Sequence, residues 1–217
     1  MEENRNNINR ELFALLSKHK VGYSTGKRIY GLMKGREAEL VDWLLANPSA
    51  TVNDICSIAY SFAGTTDPYS DEPGKRFLRL THLIPQLEEM SSAGHWVFPQ
   101  GVQAPYVKYE KLTVDVLDAV DEIINRNPLY SDVTDGYVDI LRSNGLDWKE
   151  ASMRDAAASV LDARCILALL VGAYCAERFS DGTVGHFFHK GCILRWVRRL
   201  AELDAADRVE ESTSGIV

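Results

Sequence analysis

The chain has 217 residues, 46% of them apolar and 25% charged, which suffices for one generous domain or two small ones and excludes a disordered linker. Its 24 Lys and Arg against 31 Asp and Glu give a formal charge of −7, which disfavours non-specific attraction of the whole molecule to DNA or anionic lipid. The longest apolar run, Cys165 to Cys175, is about half of a membrane span and no basic-then-apolar leader follows Met1, so the cytosol is the expected compartment and no membrane partner is expected.

Charge is unevenly spread. Residues 1–111 carry 13 bases and 13 acids, whereas the rest carry 11 and 18, so the net charge lies in the C-terminal half. Lys18, Lys20, Lys27, Arg28, Lys34 and Arg36 form the one basic stretch, with no acid between Glu11 and Glu37. These six are the expected contacts to a protein partner, because segregated charge steers encounters and selects complementary surfaces.

In chain order, Leu12, Phe13, Leu15 and Leu16 predict an amphipathic helix over Asn9 to Lys18. Gly22, Gly26, Gly31 and Gly35 argue against a helix between them. A helical pattern returns over Arg36 to Ala46 and stops before Pro48, and Thr51 with Asp54 predicts a capped helix through Phe62. Gly64 to Gly74 reads as a loop. Phe77 to Leu87 predicts one or two helices with a break at Pro85, and His95 to Phe98 and Tyr106 to Tyr109 are short strands.

The second half is more plainly helical. Helices are predicted over Thr113 to Arg126, over Val133 to Arg142, and over a long stretch from Ser152 to Phe179 with a break near Leu161. The last of these is apolar on every side, so it should be the central helix of a bundle, with Phe179 plugging its end. Gly191 to Leu203 gives a final helix. The expected fold is therefore mainly α, a helical bundle with a small β-hairpin, in which 1–110 form a helical N-terminal region, 111–206 the bundle and 207–217 a flexible tail.

Several sites are tempting. Three helical segments and two strands over Arg36 to Tyr109 follow the order of a winged helix, in which Lys75, Arg76, Arg79 and Lys108 would contact nucleic acid. The long acidic loop before the third helix makes a plain packing layer the better reading, so nucleic acid is a disfavoured partner. Gly26-Lys27-Arg28 lacks the pattern of a phosphate loop. Cys175, His186, His189 and Cys192 have the ligand types for zinc but the wrong spacing, and the cysteines are more simply small core residues. No metal and no cofactor is expected. Glu177, Arg178 and Asp181, directly after the apolar helix, read as a structural clip or an anion site.

The run from Cys165 to Gly182, with Glu177-Arg-Phe-Ser-Asp-Gly182 at its end, and the helix carrying Gly191, Ile193, Val197 and Leu200 resemble the C-terminal signature of a small bacterial and phage-associated helical family of unknown function. The resemblance spans about residues 90–203, includes Pro105 to Glu110 and Trp148, and implies a compact helical domain, with no particular activity to carry over. The functional expectation is a non-enzymatic regulatory or host-interaction protein that binds a protein partner. The alternatives are a winged-helix-like nucleic-acid binder and a small hydrolase with a polar site around Glu177, Arg178 and His186.

Overall fold

The structure, a computed structural model, describes residues 2–67, 75–101 and 104–214. It is mainly helical with one two-stranded antiparallel hairpin. The chain opens with α1 (Glu2–Lys18), α2 (Tyr23–Leu32), α3 (Glu37–Ala46) and α4 (Val52–Phe62). The Thr51–Asp54 capping box forms in both directions, as its spacing requires. Leu12, Leu16, Ile29, Met33, Leu40, Leu44, Ile55 and Ala59 close these four helices around one apolar cluster.

The short helices α5 (Leu78–Thr81) and α6 (Ile84–Glu89) follow, Pro85 lying in the first turn of α6. Then come β1 (Gly94–Val97) and β2 (Tyr106–Tyr109), paired with Gly94 opposite Tyr109 and Val97 opposite Tyr106. The remainder is α7 (Lys111–Arg126), α8 (Val133–Ser143), α9 (Glu150–Arg154), α10 (Ala163–Ala176), α11 (Thr183–His189) and α12 (Cys192–Ser214). A second apolar cluster runs from Phe77 to Leu200, with α10 at its centre against α7, α8, α11 and α12.

Five expectations change. The glycine-rich segment 22–35 contains α2, a ten-residue helix. Glycine costs a helix about 1 kcal/mol per residue, and here buried Ile29 and the anchors on α7 described below outweigh that cost. The stretch from Ser152 breaks near Leu161 as expected, where Asp162 caps α10 by accepting from the Cys165 amide at 2.7 Å, but α9 already ends at Arg154 and α10 at Ala176, short of Phe179. Phe179 plugs nothing: it is 78% exposed and stands edge-to-face with Trp148. Apolar packing divides between Phe62 and Phe77, not at residue 110, since α5 and α6 pack on α7 and α12. The last helix continues through residue 207, and Asp207 is held by Arg76, so the tail does not begin there.

The same packing undoes the winged-helix order. Its first two helices, α3 and α4, belong to the first cluster and the residues of its third, split between α5 and α6, to the second. No helix of the described residues is long and apolar enough to cross a membrane.

Candidate functional site

The seam between the two clusters is where scattered polar residues meet. Helix α7 shows its apolar residues Val116, Val120, Ile123 and Ile124 to the second cluster and a polar row to α2. Asn125 is the hinge pin of that row. Its side-chain oxygen accepts from the Gly22 amide at 2.8 Å and its amide donates to the Lys20 carbonyl at 2.8 Å, which fixes the turn where Lys20 takes a left-handed φ of 58°. Ser24 donates to Asp118 at 2.9 Å. The turn passes close to this row: a Cβ at position 22 would lie 3.0 Å from Asp121 Oδ2 and 3.3 Å from Asn125 Cγ, so a larger residue would make those side chains give by a few tenths of an ångström.

One turn deeper, Glu122 is buried and accepts from three guanidiniums. Arg28 of α2 and Arg79 of α5 both reach Oε2, the latter at 2.8 Å, and Arg126 of α7 reaches Oε1 at 3.2 Å. Arg126, with 3% of its side chain exposed, also donates bidentately to Asp67 at 2.6 and 3.1 Å and to Asn53 of α4 at 2.9 Å. Burial opposes the Arg126 charge, but the Asp67 hydrogen bonds and the charges of Asp67 and Glu122 outweigh it and raise its pKa. Burial pushes the neighbouring Cys56 thiol up to about 11, which keeps it protonated. A charge-assisted network of this kind joins α2 and α4 to α5 and α7, and both oxygens of Glu122 are committed to it.

The structure sorts the six basic residues of the first stretch into two groups. Arg28 goes inward to Glu122, and Arg36 pairs with Glu39 at 2.6 Å and lies over the Phe62 ring. Lys18, Lys20, Lys27 and Lys34 stay exposed, and among the described residues none is in an ion pair. Tyr23, Lys27 and Lys34 recur at the spacing of one helical stripe along and just beyond α2, outside its buried Thr25, Gly26 and Ile29. Tyr23 is 84% exposed.

The proposed nucleic-acid contacts part company. Arg79 belongs to the Glu122 network, and Arg76 pairs with Asp204 and Asp207 on α12 while the Phe77 amide donates to Asp204 at 2.9 Å. Lys75 is exposed beside them, and Lys108 is exposed on the hairpin opposite His95. The C-terminal candidates do not converge either. Glu177 accepts from the Gly182 and Val184 amides at 2.8 and 2.9 Å, which caps α11 where Gly182 has a φ of 88°. Arg178 and Asp181 are exposed, and His186 turns to Glu150 at 2.7 Å. Among the described residues no three His, Cys, Asp or Glu side chains are grouped to hold a metal.

Compared with protein-family models, curated proteins and solved structures, the chain matches none. Sequence reasoning missed Glu122, Arg126, Asp67 and Asn125 altogether. The one signal within reach was that Glu122 and Arg126, four apart on a strongly amphipathic helix, fall on its apolar side with Ile123 and Ala119.

Proposed function

We propose that the chain is a non-enzymatic regulatory or host-interaction protein that binds an acidic surface of a protein partner through the outer stripe of α2. What supports this is the sorting of its basic residues: the arginines of this stretch are neutralised by Glu122 and Glu39, whereas Lys20, Lys27 and Lys34 remain outward with Tyr23 between them. A rigid aromatic flanked by mobile cations suits a protein interface, in which Tyr anchors and the charges speed encounter. Arginines are the side chains best able to grip phosphate in two places, and Arg28, Arg76 and Arg79 are already spent on carboxylates. That commitment favours a protein partner over nucleic acid.

The test is capture from host lysate with and without nuclease, comparing the native chain with a variant carrying Lys20→Glu, Lys27→Glu and Lys34→Glu. A protein retained by the native chain after nuclease treatment, and lost by the variant with its circular dichroism unchanged, is the expected result. Retention that nuclease abolishes, or equal retention by the variant, overturns the reading.

A further inference from the structure

Between α9 and α10 the chain runs as a linker against α12, and there lies an open cavity of about 580 Å³ that the partner reading does not use. One wall is the linker itself, Ala156 to Ser159. The other is a stripe of α12, where Arg195, Arg198, Arg199 and Glu202 recur at helical spacing beside Leu194. Two of these arginines tie down the ends of the linker. Arg195 donates to the Arg154 carbonyl at 2.6 Å and Arg199 to the Leu161 carbonyl at 3.1 Å, and the cavity is the space left between the two ties.

Most polar groups of this lining are donors. A guanidinium carries about five N–H groups, and these three use few of theirs. Arg198 commits one nitrogen to Glu88 at 2.7 Å, and Arg199 commits two, to Leu161 and to Glu202 at 3.1 Å. Arg195 commits one, shared between the Arg154 carbonyl and the Cys192 sulfur, and is in no ion pair among the described residues. In the linker, the Ala157 and Ser159 amides and the Ser159 hydroxyl meet no acceptor among the described residues. The carboxylate in the lining, Glu202, is held by Arg199.

Such a lining repels a cation and offers a purely apolar guest little. Guanidiniums facing uncommitted amides suit an anion with several acceptor oxygens, and the planar fork of arginine matches phosphate in two places. Ala157, Ala158 and Leu194 add apolar surface beside the charges. A long polyanion fits poorly, because Glu88 and Glu202 flank the arginines and the chain beyond residue 111 carries 18 acids against 11 bases. We propose that this cavity binds a small phosphate ester, its phosphoryl oxygens on Arg195, Arg198 and the linker amides and its organic body over Ala157, Ala158 and Leu194. The volume lies within the range of about 300–1,000 Å³ typical of sites for small organic ligands. This inference stands independently of the α2 stripe.

Titration calorimetry of the full chain tests it with phenyl phosphate, inorganic phosphate and benzoate. Phenyl phosphate should bind saturably by millimolar concentration. Inorganic phosphate, which lacks the organic body, and benzoate, which offers a single carboxylate, should each bind more weakly. Arg195→Gln and Arg198→Gln, with circular dichroism unchanged, should each weaken phenyl phosphate about tenfold, the loss of one charge-assisted contact. Arg198 is exposed and pairs with exposed Glu88, so its replacement decides the matter even where Arg195→Gln fails to fold. The variant carrying Lys20→Glu, Lys27→Glu and Lys34→Glu should bind phenyl phosphate as the native chain does, which separates this cavity from a general attraction of anions to the basic stripe. Absence of saturable phenyl phosphate binding overturns the proposal. So does binding that either folded arginine variant leaves intact, binding that the lysine variant loses, or benzoate or inorganic phosphate binding as tightly as phenyl phosphate.

Discussion

Two charged clusters of this chain invite opposite judgements in sequence and in space. Glu177, Arg178 and Asp181 stand together after an apolar run and look like a site, yet the structure spends Glu177 on the α11 amides and leaves Arg178 and Asp181 in solvent. Arg28, Asp67, Arg79, Glu122 and Arg126 are scattered over a hundred positions, and they meet at one buried carboxylate. Proximity in sequence reports a shared loop. What decides the energetic weight of a charge is how far it is removed from water and how completely it is paired there.

Breaking the buried cluster should do the most damage. Glu122→Gln removes the carboxylate common to three guanidiniums and should cost about 3–5 kcal/mol in urea unfolding, the range for stripping one partner from a buried ion network. Glu177→Ala unmakes two helix-cap hydrogen bonds and should cost about 1–2 kcal/mol by the same measurement. Phe179→Ala should cost less than about 1 kcal/mol, because an exposed ring touching Trp148 by its edge has little to lose. Arg178→Ala should change stability by less than about 0.5 kcal/mol, as for an exposed side chain that is in no ion pair among the described residues.

Asp121 sharpens the comparison through pH. Its folded-state pKa lies above the unfolded value, so the native state holds the proton more tightly, and ionisation of Asp121 lowers stability as pH rises through the carboxylate range. Asp121→Asn should therefore be somewhat more stable than the native chain at neutral pH. That gain should shrink as pH falls and the native Asp121 takes up its proton. A constant difference across the range would separate Asp121 from this account.

Much of the architecture is legible from local pattern. The hairpin, α3, the Thr51 capping box, α7 and α8 all follow from apolar periodicity and from turn residues placed at their ends. Helix α2 is not legible, because four glycines, two inside it and two beyond its ends, dominate a local reading, and what overrules them is contact with Asn125, Asp118 and Glu122 about a hundred residues away. The same distance hides the candidate site. Lys20, Lys27 and Lys34 are visible as basic residues, but their arrangement with Tyr23 exists only once α2 does. The break before α10, by contrast, is legible near Leu161, where Asp162 caps the helix, whereas its end at Ala176 rather than Phe179 is not.

The central claim is that the Glu122 network fastens the first apolar cluster to the second, and native-state amide hydrogen exchange of the native chain and Glu122→Gln tests it most directly. In the native chain the slowest amides of α2 and α4 should share the protection of those in α10, as parts of one cooperative unit. In Glu122→Gln the α2 and α4 amides should fall well below those of α10, the first cluster opening without the second. Unchanged protection of α2 and α4 in the variant would contradict the claim.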